Sequence, residues 1–95
     1  MDLEICMINA KDGDSAGFIK AMADGGTEAL LSCPGCNTVS VLPGVENPGK
    51  VLLMIEWDSV AAHNAAKEAP GFGKFLAAAG PFFGEGASME HFSLA

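Results

Sequence analysis

Hydrophobic and polar residues alternate along four stretches of the chain, and between them apolar residues recur at helical spacing. Residues 3–9 read Leu-Glu-Ile-Cys-Met-Ile-Asn. Leu3, Ile5 and Met7 line one face of a strand, and Cys6 and Ile8 make the other face nearly as apolar. A strand apolar on both sides is usually covered on both. Residues 37–42 alternate polar and apolar, the pattern of a half-buried strand. Residues 50–57 predict the central strand, with Val51, Leu53, Ile55 and Trp57 on one face and Leu52 and Met54 on the other. A turn-rich segment, 43–49, separates the second and third strands, which are therefore expected to pair antiparallel. Residues 87–94 predict a last strand.

Phe18, Met22, Gly25 and Ala29 fall at i, i+4, i+7 and i+11 and predict a helix over 15–31. Asp12, Asp14 or Ser15 can cap it. Gly25 and Gly26 weaken its middle by roughly 1 kcal/mol each, which points to a kink or a close approach there. Cys33-Pro34-Gly35 stops it. Ser59 is the N-cap expected for an alanine-rich helix over 60–69, ended by Pro70-Gly71. A shorter helix then turns Phe72, Phe75, Leu76 and Ala79 inward, and Gly80-Pro81 breaks it. The order βαββαβ is that of an α+β, ferredoxin-like fold: a four-stranded antiparallel sheet with helices on one face. The other sheet face is left bare, although the first and third strands are apolar on both sides. A second copy of the chain, forming a homodimer through the open sheet face, is the expected cover.

Composition narrows the function. The 95 residues are expected to form one domain, 1–95. Twelve acidic residues face five lysines, and there is no arginine, for a net charge of −7. This excludes the basic clusters that nucleic acid, anionic membranes or phosphorylated ligands require. The longest aliphatic run, Val51 to Ile55, is far short of a membrane span. The start, Met-Asp-Leu-Glu, lacks a basic n-region and an apolar h-region, so the expected location is cytoplasmic.

A few residues carry possible chemistry. Trp57 is either a core anchor or a site residue, and its indole N–H needs a partner if buried. His63, one turn into the helix after Trp57, is either a base active near neutral pH or an exposed helix histidine. Asn9 closes the first strand and either meets a substrate oxygen or caps the turn. His91, in phase with Met89, faces the pocket or a partner chain, and the interface is the preferred reading. Glu56 alternates away from Trp57, toward solvent or the dimer. Cys33-Pro34-Gly35-Cys36 has the C-x-x-C spacing, but it follows a helix and precedes a strand. Thioredoxin-type chemistry needs the reverse order, because the helix N-terminus is what stabilises a thiolate. A zinc site lacks enough further ligands, with only Cys6, His63 and His91 elsewhere. No phosphate-binding glycine loop and no Ser/His/Asp spacing is present.

Taken in order, several of these residues resemble one family. Pro34-Gly35-Cys36, Asn47-Pro48-Gly49-Lys50, Glu56-Trp57-Asp58-Ser59, His63, Gly71-Phe72 and Glu90-His91-Phe92 are similar to the pattern of antibiotic biosynthesis monooxygenase domains, over residues 3–93. The resemblance implies a dimeric α/β barrel, a small apolar or aromatic substrate, and oxidation by O₂ with no cofactor and no metal. It implies a cavity between sheet and helices lined by Phe18, Met22, Leu53, Phe72 and Phe75. His63 would be the base, with Asn9 and Trp57 orienting oxygens. The haem-degrading branch carries a Trp inside the second helix, where this chain has Ala65 and Ala66. It also carries a His further along, and none lies between residues 64 and 90. Haem degradation is thereby disfavoured. Leu53 stands where the quinol-oxidising branch often has Asn. The same fold also admits a non-catalytic ligand-binding dimer, or an isomerase or degradative enzyme for a small carbonyl compound.

Overall fold

A computed structural model of the chain describes residues 1–94. The strands are β1 (Asp2–Asn9), β2 (Cys36–Pro43), β3 (Lys50–Trp57) and β4 (Ser88–Ser93), ordered β2-β3-β1-β4 with all neighbours antiparallel. The helices α1 (Ser15–Ala21), α2 (Thr27–Leu31), α3 (Val60–Ala66) and α4 (Pro70–Ala79) cover one face. This is the ferredoxin-like α+β arrangement that the alternation predicts. Register assigns the two faces. Glu4 pairs with Ile55, Cys6 with Leu53 and Ile8 with Val51, and these side chains point at the helices. Leu3, Ile5, Met7, Leu52 and Met54 alternate to the bare face. Met7, Leu42 and Phe92, all on that bare face, are 44, 44 and 50% exposed.

The helix expected over 15–31 is interrupted. A π turn at Met22–Gly26 takes Gly25 out of helical geometry and joins α1 to α2. The extra residue rotates the apolar face by one position. Leu30 is therefore buried where the unbroken period would place Ala29. The alanine-rich helix is also shorter than 60–69. It stops at Ala66, and Ala69 is extended, as the residue before a proline must be. Pro70 and Gly71 do not simply end it; they form the first turn of α4, where a missing N–H costs nothing. Leu76 is not turned into the core but is 45% exposed, whereas Phe75 and Ala79 are buried.

Gly71 sets the distance between α4 and α2. A Cβ there would lie 2.5 Å from the Ala29 carbonyl oxygen and 3.2 Å from Cys33 Sγ. Neither the backbone nor the buried thiol can yield easily. Gly71→Ala is therefore expected to destabilise the fold by about 1–3 kcal/mol, read as a lowered midpoint in thermal or urea unfolding. Gly73→Ala, two residues on in the same helix, meets nothing within 4 Å. It is expected to be neutral or mildly stabilising.

Candidate active site

Two caps fix the start of α3 over the end of β3. Ser59 Oγ accepts the Ala62 N–H at 3.1 Å, and Asp2 Oδ2, from β1, accepts the Val60 N–H at 2.9 Å. With its first turn held, α3 drops His63 onto Trp57. The two rings stack with centroids 4.8 Å apart and planes 12° from parallel. Beneath them lies Glu4, on the helix-facing side of β1. Trp57 Nε1 donates to Glu4 Oε1 at 3.0 Å, and His63 Nε2 stands 3.3 Å from the same oxygen. His91 pairs directly with Glu4 across β1 and β4. Its Nε2 is 2.7 Å from His63 Nδ1. Glu4 is 6% exposed and His63 4%.

Glu4, Trp57 and His63 line a cavity of about 200 Å³, and His91 stands outside it behind His63. Its walls are otherwise apolar: Leu30, Leu53, Ile55, Phe72, Phe75 and Phe83, with Cys6 beside Glu4. Lys67, Leu76 and Met89 also line it and are exposed, so the mouth lies between α3, α4 and β4.

Of the residues expected at the site, His63, Trp57, Leu53, Phe72 and Phe75 converge on this cavity. Phe18 and Met22 do not line it; they are buried behind it, with Phe18 against Phe83 at 5.5 Å. Asn9 is also elsewhere. It ends β1 five residues beyond Glu4, about 16 Å along the strand. Its Nδ2 donates to the Glu85 carbonyl at 2.8 Å, tying down the segment before β4. The antiparallel register explains the displacement: Asn9 pairs with Lys50, at the opposite end of β3 from Trp57. His91, expected at an interface, instead touches His63. Glu4 is the residue that sequence reasoning missed. Its signal was a carboxylate in phase with Cys6 and Ile8 on a strand otherwise apolar on both faces.

Burial pushes the His63 imidazole below its ordinary value; Glu4 opposes this, while His91 and Lys67 reinforce it. Burial, with help from the Glu4 charge, pushes the Cys6 thiol up to about 11. Burial likewise raises Cys36, to about 11, and Cys33. Thiols held protonated in this way are poor nucleophiles and poor metal ligands. Among the described residues, no group of three or more His, Cys, Asp or Glu side chains is arranged to hold a metal ion. No helix among them is long and apolar enough to cross a membrane.

An apolar cavity between sheet and helices, with a few polar groups in its wall, has the form that small-molecule sites commonly take. The model of the antibiotic biosynthesis monooxygenase family matches residues 2–78, and the chain belongs to that family. Solved structures agree on the fold. A protein from Bordetella bronchiseptica named for this family superposes with a TM-score of 0.89 at 22% identity, over 99% of this chain and 96% of that one. Family-named proteins from Caulobacter crescentus (TM-score 0.79, 17% identity, 99% and 89% covered) and Nitrosomonas europaea (0.77, 16%, 98% and 97%) are similar. No curated protein matches the chain.

The site makes stability depend on pH. A histidine held below its ordinary pKa when folded binds its proton more readily when unfolded. The stability gained from neutral His63 is present above the unfolded value of ~6.5 and is lost as pH falls through the lower folded one. Wild-type stability to urea is expected to decline as pH falls from ~6.5 toward 5, ahead of most carboxylate titration. His63→Gln, which cannot titrate, should show a shallower decline over that window. Parallel slopes for the two proteins would mean that the decline does not originate in His63.

Proposed function

We propose that the chain is a monooxygenase that binds a small, uncharged aromatic hydroxy compound, a phenol or quinol, and oxidises it directly with O₂. The observation that carries this reading is the carboxylate–imidazole pair, Glu4 and His63, buried in the wall of an apolar cavity. Loss of a proton makes an electron-rich phenol or quinol a far better reductant, able to deliver an electron to O₂ itself. Net, one ring C–H and one O–H of the phenol or quinol become the two carbonyls of a quinone: one oxygen atom of O₂ enters the ring, and the other leaves with those two hydrogens as water. Four electrons pass from substrate to O₂, so no external reductant is required. The protein's part is to exclude water, accept the proton and orient the ring. Phe72 and Phe75, packed edge to face with centroids 5.7 Å apart, supply an aromatic wall. Membership of the monooxygenase family supports the reaction class.

We also propose that two copies meet through the open sheet face. Leu3, Ile5, Met7, Leu42, Leu52, Met54 and Phe92 make it apolar where nothing in one copy covers it. An interface of this type buries more than ~2,000 Å² in total. Light scattering at micromolar concentration is expected to give twice the 9.7 kDa chain mass; a mass of one chain would refute the dimer.

For the activity, incubation with a panel of quinols and hydroxynaphthalenes under ¹⁸O₂ is expected to yield a product carrying one labelled oxygen. The product should be absent under anaerobic conditions and should persist after dialysis against a chelator. Oxidation without incorporation of label, or loss of activity on chelation, would overturn the reading.

A further inference from the structure

The hydrogen-bond directions around Glu4 single out one atom. Trp57 Nε1 carries a hydrogen and can only donate, so Glu4 Oε1 is an acceptor. His63 Nε2 faces the same oxygen at 3.3 Å. The contact is not a hydrogen bond, because the imidazole lies stacked over the indole that holds this oxygen; the negative oxygen beside Nε2 nevertheless favours a hydrogen on that nitrogen over a lone pair. The neutral imidazole then keeps its lone pair on Nδ1. That nitrogen is 2.7 Å from His91 Nε2, which must be the donor. Nδ1 of His63 is thus engaged by His91 and Nε2 carries the hydrogen, so neither nitrogen offers a lone pair to the cavity.

Glu4 Oε2 is different. Among the described residues, the one hydrogen bond to the Glu4 side chain, from Trp57, runs to Oε1. Among the described residues, no fully buried side-chain oxygen or nitrogen lacks a partner. Oε2, having none, must therefore keep accessible surface, and Glu4 opens onto the cavity. We propose that Glu4 Oε2 is the proton acceptor of the site, with His63 and His91 as positioning residues that hold the carboxylate for it. The step is a proton transfer: the substrate O–H bond breaks, its electron pair stays on the substrate oxygen, and the hydrogen binds Oε2. The ligand class follows. A carboxylate set among apolar walls selects a neutral ring bearing a hydroxyl donor and rejects a ring bearing a carboxylate. Lys67 at the mouth leaves room for an acceptor group at the ligand's outer end.

The catalytic half of this proposal rests on the monooxygenase reading; the binding half does not, and the test separates them. The probes are 2-naphthol and 2-naphthoate, followed by the fluorescence of Trp57, the one tryptophan in the chain. Wild type is expected to prefer naphthol over naphthoate, and Glu4→Gln to shift that preference toward naphthoate by about tenfold or more. An unchanged preference overturns the proposal. In ¹⁵N NMR of the wild-type protein, which needs no variant to fold, His63 is expected to carry its hydrogen on Nε2; a hydrogen on Nδ1 overturns it as well. On any quinol that is turned over, Glu4→Gln should lower kcat/KM by roughly 10²–10⁴-fold. His63→Gln, which keeps a polar side chain beside Oε1, should cost about tenfold or less and keep the acid limb of the pH profile. The reverse ranking would make His63 the base and overturn the assignment. If the ligand preference and the tautomer hold but no O₂-dependent product forms, the Glu4 site stands and the monooxygenase reading falls.

Discussion

A carboxylate on the covered face of a small sheet is costly unless donors meet it; the effective penalty for burying an unpaired charge is several kcal/mol. Glu4 occupies such a position, and much of the architecture around it consists of ways to bring donors to one of its oxygens. The β1–β3 register puts Trp57 on a diagonal from Glu4, within reach of its indole N–H. The β1–β4 register puts His91 directly opposite. The caps from Ser59 and Asp2 hold α3 so that His63 closes the space from above. A slip of one residue in either strand pair would move Trp57 or His91 to the other sheet face and leave the carboxylate unmet. The polar cluster therefore ties strand register to helix placement, and stability to the geometry that chemistry needs.

The two faces of the sheet serve different ends because they are physically separate. The helix side is closed, and its one polar cluster sits among aromatic and aliphatic walls. The open side carries Leu3, Ile5, Met7, Leu42, Leu52, Met54 and Phe92 and none of the cavity groups. Side chains alternate strictly along β1 and β3, so a residue can change on one side without entering the other. Association through the open side would stiffen the strands that present Glu4 and Trp57 without contributing a group to the cavity.

The fold was legible in the sequence because alternation and helical period survive in short windows. Val51, Leu53, Ile55 and Trp57 mark β3 without ambiguity, and Ser59 marks the start of α3. The interruption at Gly25 was legible as a weak point but not as a π turn, since the extra residue shows only when the face beyond it is compared. The site was half legible. Trp57 and His63 stand six residues apart across a strand–helix junction, and that proximity is local. Asn9 was misplaced because the end of a strand at which a residue sits relative to its partner is set by pairing across distant sequence. Glu4 was missed for a related reason. β1 is apolar on both faces, so its own pattern does not say which side the helices cover, and an acidic residue near its start reads equally well as solvated. Only the long-range pairing of β1 with β3 and β4 turns Glu4 inward.

That the decisive polar groups come from β1 and β4 also bears on how the family relates to this chain. Leu53, where a polar residue was expected from one branch, is part of the cavity's apolar wall, opposite Cys6. The polar part of the cavity wall has instead been built one strand over, from Glu4 on β1, with His91 behind it on β4. Structures at 14–22% identity share the backbone frame, but a frame does not carry a reaction; specific side chains do. An open sheet–helix cavity offers several strand positions from which a carboxylate or amide can reach the same volume. Each choice sets the charge in the wall, and with it which ligands are admitted. A neutral amide would tolerate an anionic ligand, whereas the carboxylate of Glu4 disfavours it by like-charge repulsion in a poorly screened space. On the proposal that Glu4 accepts the proton, specificity in this chain is decided at a single strand position.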